Sequence, residues 1–225
     1  MFPIGDDNQD ITTAPVVTWS LIAANVLVFI YQLSLGDRVQ VFINDWGAIP
    51  WKIAGGERLT TLVTSMFMHG GFAHIFGNML FLKVFGDNVE DRFGHLRFFI
   101  FYMVTGLVAG LAQVYLSPKS GIPGVGASGA ISGILGAYIV LFRSNRVRVL
   151  VGYWVTQVPA WAMIGFWAAQ QFLATYMSIA RTEQTDTGGV AYAAHAGGFI
   201  AGAVIGLVAG RRRVSRDVPV GRSPL

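Results

Sequence analysis

Gly124-Val125-Gly126-Ala127-Ser128-Gly129-Ala130-Ile131-Ser132-Gly133 carries a glycine-rich, extended approach into a helix and sets a hydroxyl on that helix's first turn. Glycines on both sides let another backbone or a substrate come close without meeting a Cβ, and the N–H groups of a helix start have no helical acceptor behind them. Such a place suits a developing oxyanion, and Ser128 reads as a nucleophile. Serine after glycine at a helix start is also the ordinary pattern of a plain N-cap, so the choice rests on the remainder of the chain.

The surroundings are those of a membrane protein. Of 225 residues, 53% are hydrophobic and only 12% charged, and the mean hydropathy is +0.54. A soluble domain carries about 25% charged residues. One compact integral membrane domain is the simplest organisation, and 28 glycines suit helices that associate through small residues. The absence of cysteine excludes a disulfide framework, a thiolate nucleophile and a Cys-based metal site. A net charge of +4 would suit nucleic acid, but the basic residues gather at span ends, which is topology, so no nucleic-acid partner is expected.

Apolar runs place transmembrane spans at about 16–35, 65–85, 98–116, 128–142, 149–179 and 190–210, the fourth short and the fifth long, with a kink expected at Pro159. The expected architecture is an all-α, polytopic bundle of six helices over 16–210, between an N-terminal tail, 1–15, and a basic tail, 211–225. Residues 36–64, with Trp46 and Trp51, read as an interfacial segment or a packed loop, and 86–97 as a charged, solvated turn with His95 at the surface. Arg92 and Arg97 follow span two, Arg143, Arg146 and Arg148 follow span four, and Arg211, Arg212, Arg213 and Arg216 follow span six. The positive-inside rule makes that side cytoplasmic, so both termini lie inside and Ser128 opens outward.

Counting back from these clusters at about 1.5 Å per residue gives each polar group a height. Ser128 lies about 22 Å up, His195 about 24 Å, Asn78 about 21 Å and His74 about 27 Å. The four share one layer beneath the outer face of a core roughly 30 Å thick. Gly129, Gly133 and Ala137 form a small-residue stripe on span four, and Gly198, Gly202 and Gly206 another on span six. The two helices can then pack with backbones nearly touching, and a hydrogen bond from the Ser128 hydroxyl to the His195 imidazole becomes available. Neutral imidazole is the natural base for a serine hydroxyl near pH 7. Asn78 offers an amide donor and His74 a ring N–H one turn away, although either could simply hold the bundle together by an interhelical hydrogen bond. His69, near the outer end of span two, reads as structural, and Gln113 as an interfacial glutamine able to hold water.

Three motifs resemble the rhomboid intramembrane serine proteases: Gly126-Ala127-Ser128-Gly129 on span four, Ala194-His195-Ala196-Gly197-Gly198 on span six, and His69-Gly-Gly-Phe-Ala-His74-Ile-Phe-Gly-Asn78 on span two. The resemblance covers about residues 40 to 210. It implies a serine endopeptidase that cuts transmembrane segments through an acyl-enzyme, with Ser128 as nucleophile, His195 as general base and no third acidic member. It also implies oxyanion donors from His74, Asn78 and the Ser128 backbone N–H. Implied substrates are single-span membrane proteins in the lipid bilayer of the cell membrane, cut at a site open to the extracytoplasmic side. Some members carry an aromatic residue packed on the histidine one turn after the nucleophile, where this chain has Ser132. No cofactor or metal is expected, since His69, His74 and His195 come without an HExxH motif or a carboxylate. A non-catalytic rhomboid-like binder of membrane proteins is the alternative; a histidine-based transporter would need a polar path continuing to the inner side.

Overall fold

The structure is a computed structural model that describes residues 2–6, 11–180 and 191–210. Helix α1 (Val16–Ser34) leads into three short helices, α2 (Val39–Trp46), α3 (Pro50–Ala54) and α4 (Thr61–Thr64). Long helices α5 (Phe72–Phe93) and α6 (His95–Leu116) follow, then α7 (Ser128–Leu141), α8 (Ala160–Ala180) and α9 (Tyr192–Gly210). Among the described residues, three helices are long and apolar enough to cross a membrane: α1, α6 and α9. Large apolar side chains such as Leu27, Ile30, Phe76, Ile100, Leu111, Val204 and Leu207 face outward around the bundle. A surface of that kind suits lipid rather than water.

The expected all-α architecture needs a correction, because the chain also forms a three-stranded antiparallel sheet. Strand β1 (Phe2–Gly5) pairs with β2 (Arg146–Val151), which pairs with β3 (Trp154–Pro159). Arg146-Val-Arg-Val alternates charged and apolar side chains, and Val147 and Val149 are fully buried while Arg146 and Arg148 are exposed. That alternation is the period of a half-buried strand. Gly152, at φ +61°, lets the chain reverse between Val151 and Trp154. The fifth helix therefore starts only at Ala160, and Pro159 ends β3 instead of kinking a long span. Residues 2–5 of the expected N-terminal tail belong to this sheet. The Asp6 carboxylate beyond them accepts hydrogen bonds from Asn88 Nδ2 at 2.7 Å and the Tyr138 hydroxyl at 2.6 Å, which fastens the sheet to α5 and α7.

Helix α5 also runs past its expected end, through the stretch read as a solvated turn. Its Glu90 is fully buried and caps α1, accepting from Val17 N at 2.8 Å, Thr18 N at 2.7 Å and Thr18 Oγ1 at 2.7 Å. A carboxylate at a helix N-terminus meets both orphan N–H groups and the positive end of the dipole. Half-exposed His95 places its Nδ1 2.6 Å from Glu90 Oε1, within hydrogen-bond distance, so it is more than a surface residue. The loop 181–189 and the tail 211–225 lie outside the described residues.

Helices α7 and α9 form the tightest pair, and glycine is the reason. A Cβ on Gly198 would strike the Gly129 carbonyl oxygen, and one on Gly202 the Gly133 carbonyl oxygen. One on Gly206 would sit 3.1 Å from the Ala137 Cα, and one on Gly136 would strike the Phe199 carbonyl oxygen from the other side. The contacts advance four residues on both helices at each step, so the two run parallel and their N-termini meet at the same end. Around them lie the large buried side chains Leu82, Phe85, Phe98, Tyr102, Ile134, Leu135 and Tyr138. Gly202→Ala is expected to destabilise the protein by about 1–3 kcal/mol, since backbone cannot step aside as a side chain can. Thermal unfolding in detergent measures this, and an unchanged midpoint would contradict the seam.

Candidate active site

Because α7 and α9 start at one end of the bundle, their first turns face each other, and there the Ser128 hydroxyl meets the His195 imidazole. Ser128 Oγ lies 2.8 Å from His195 Nε2. The residue in the N-cap position of α7 is Ala127, with no side-chain capping bond, so Ser128 is not a plain cap. Its approach is held in place by the first loop. Ala48 and Gly124 exchange backbone hydrogen bonds at 3.0 and 2.8 Å, and Gly126 N donates to Ser65 O at 2.9 Å. That loop is itself docked through Arg58, whose guanidinium donates to the Asp45 carbonyl at 3.0 Å and the Asn44 carbonyl at 3.3 Å, at the C-terminal end of α2.

Asn78 and His74 reach the same place from α5. Gly126 has φ +126°, and a Cβ there would lie 2.8 Å from His74 Cε1 and Nε2 and 3.6 Å from Asn78 Nδ2. The strand-like approach to Ser128 is thus laid directly against both side chains, which is why the position needs glycine. Gly70 N makes a long contact of 3.4 Å to His74 Nδ1, and the other ring nitrogen, Nε2, lies beside Gly126. Asn78 Nδ2 is buried and finds no hydrogen-bond partner among the described residues. A buried amide donor without a partner is uncommon, and this one lies beside the backbone that leads into Ser128.

The other polar residues have simpler places. Gln32 clamps the backbone of His69 by a reciprocal pair, Nε2 to His69 O at 3.1 Å and His69 N to Oε1 at 3.0 Å, tying α1 to the entry of α5. Its ring meets that of His74 edge-on at 5.1 Å. Gln113 Nε2 makes a long contact of 3.5 Å to Ser117 Oγ at the end of α6. Ser132, which stands where some rhomboids carry an aromatic residue, spends its hydroxyl on the Ser128 carbonyl at 2.6 Å.

Two residues that the sequence did not single out complete the surroundings of His195, both from α8. Gln171 Oε1 lies 2.7 Å from His195 Nδ1. The Trp167 ring lies 5.9 Å from the imidazole, centroid to centroid, at a tilt of 39°. They sit one turn apart on the face of α8 that also buries Ala160, Met163, Ile164 and Ala168. A polar residue at this spacing from the buried face of an apolar run was the available signal. No carboxylate occurs on α6, α7, α8 or α9.

The geometry is of a kind that acyl transfer uses: a hydroxyl within hydrogen-bond distance of an imidazole, with an amide and a second imidazole beside it. Comparison with known proteins points the same way. A family model described as "Rhomboid domain" matches residues 56–212. Rhomboid protease GluP of Bacillus subtilis is 32% identical over 137 residues, 60% of this chain and 26% of its own length. Putative rhomboid protease YdcA of the same organism is 30% identical over 135 residues, 59% of this chain and 66% of its own length. RHOMBOID-like protein 6, mitochondrial, of Arabidopsis thaliana is 33% identical over 100 residues, 44% of this chain and 32% of its own length. The chain therefore spans only part of these curated relatives.

Gly126→Ala should force the strand off His74 and Asn78 and place alanine at a backbone angle it avoids, for a loss of about 1–3 kcal/mol. Thermal unfolding reads the loss; wild-type stability in this variant would mean that the close approach does not exist.

Proposed function

The chain belongs to the rhomboid family, and on that premise we propose that it is an intramembrane serine endopeptidase whose nucleophile is Ser128 and whose general base is His195. The observation that carries this reading is the 2.8 Å contact between Ser128 Oγ and His195 Nε2. The Ser128 oxygen attacks the scissile carbonyl carbon while His195 Nε2 takes its proton. Negative charge then grows on the former carbonyl oxygen, beside Asn78 Nδ2, His74 Nε2–H and the Ser128 backbone N–H at the start of α7. His195 returns the proton to the departing amine, leaving an ester on Ser128. Water, deprotonated by the same imidazole, hydrolyses that ester and restores the enzyme.

Six spans are proposed from α1, α5, α6, α7, α8 and α9, forming a domain over 16–210 with both termini cytoplasmic and a basic tail at 211–225. The basic residues after α7, Arg143, Arg146 and Arg148, support that orientation. Helix α7 has 14 residues, shorter than a core of roughly 30 Å, so in this arrangement the loop 117–127 completes the fourth span and Ser128 lies below the outer surface of the cell membrane. A helical substrate hides its carbonyls in its own hydrogen bonds. Proposed substrates are therefore single-span membrane proteins whose outer end unwinds readily, as small or helix-breaking residues allow.

Incubation of the purified protein with a labelled single-span substrate should give cleavage that Ser128→Ala and His195→Ala abolish, and a fluorophosphonate should label wild type but not Ser128→Ala. Cleavage surviving either substitution would remove the dyad; a wild type that neither cleaves nor labels would leave a non-catalytic binder. Asn78→Ala should keep the fold and lower kcat by about 10²–10³. A wild-type kcat in that variant would return Asn78 to bundle packing.

A further inference from the structure

Imidazole can serve as a base at Nε2 only if its proton sits on Nδ1, and nothing on α7 or α9 enforces that choice. The acceptor that does so comes from α8. A glutamine carbonyl oxygen can only accept, so the 2.7 Å contact between Gln171 Oε1 and His195 Nδ1 requires Nδ1–H. The lone pair is then on Nε2, 2.8 Å from the Ser128 hydroxyl, which must donate. We propose that Gln171 is a positioning residue that holds His195 in the tautomer and orientation of a general base, so that the reacting pair is the front of a Ser128–His195–Gln171 chain built from three helices.

The inference rests on the protease reading and deepens it. In serine proteases with an acidic third member, the carboxylate both selects the tautomer and stabilises the imidazolium. A neutral amide supplies only the first of these. No carboxylate on α6 to α9 competes for the task. Trp167, one turn before Gln171, lies against the same ring and limits its rotation. These two residues do from α8 what an aromatic residue at position 132 would do from α7, and they free Ser132 for its bond to the Ser128 carbonyl. Packing alone would not call for an amide oxygen at this position, since an apolar side chain of similar length would fill the space.

Gln171→Met keeps the length and removes the acceptor; Gln171→Glu keeps an oxygen acceptor whether or not it is charged. Gln170→Leu, on the adjacent exposed face, is the control and should behave as wild type. The Met variant should lose kcat roughly 10–100-fold, the loss typical when a group orienting a histidine from behind is removed, with KM unchanged. The Glu variant should recover most of it. Nitrogen-15 spectra of His195, taken above the histidine titration range, should show the Nδ1–H tautomer in wild type and Gln171→Glu and a mixture in Gln171→Met. Wild-type kcat and spectrum in the Met variant would overturn the proposal. So would an Nε2–H tautomer in the wild type, a measurement that stands even if the Met variant fails to fold. A wild type without cleavage would sink the protease reading while the spectra still judged Gln171.

Discussion

Backbone-to-backbone contact between α7 and α9 is the constraint on which the rest depends. Gly198 against Gly129 and Gly202 against Gly133 bring the two helices closer than any side chain would allow, with the residues advancing in step so that the helices stay parallel. In a membrane, where lipid is as apolar as leucine, such packing is a principal source of helix association. Its consequence is local chemistry: two helix starts share one end, and a serine on one and a histidine on the other come within 2.8 Å. Both helices also turn their positive ends toward that place, which favours negative charge there.

Around this seam each element limits one freedom of the site. The first loop pins the backbone approaching Ser128 through Ala48 and Ser65. Helix α5 brings Asn78 and His74 against Gly126. Helix α8 brings Gln171 and Trp167 against His195. At the other end Asp6, Asn88, Tyr138 and Glu90 form a polar anchorage where charge is less costly than in the core, binding α1, α5, α7 and the sheet. One cluster of buried polar groups thus holds the bundle together, and another lies beside Ser128.

Much of this was legible in the sequence because depth in a membrane is a one-dimensional problem. Basic clusters mark one surface, helical rise converts residue count to height, and glycine stripes say which helices touch. The meeting of Ser128 with His195, and the presence of Asn78 and His74 nearby, could be read on those terms. What could not be read depended on pairing across the fold. Arg146 and Arg148 read as a basic cluster and Val149 as the start of an apolar run; only the alternation, completed by β1 and β3, makes the stretch a strand. The charged stretch after Phe85 stays helical because Glu90 finds the α1 N-terminus more than seventy residues earlier in the chain. Gln171 and Trp167 had no motif at all; their place beside His195 follows from which face α8 turns to α9.

The most direct test of this arrangement is the structure of the protein after reaction with a fluorophosphonate, whose tetrahedral phosphorus stands in for the attacked carbonyl carbon and whose free oxygen stands in for the oxyanion. The expected result is a covalent bond to Ser128 Oγ, the free oxygen within hydrogen-bond distance of Asn78 Nδ2, and His195 still bonded to Gln171. An adduct on another residue, or an oxygen turned away from Asn78 and His74, would contradict it.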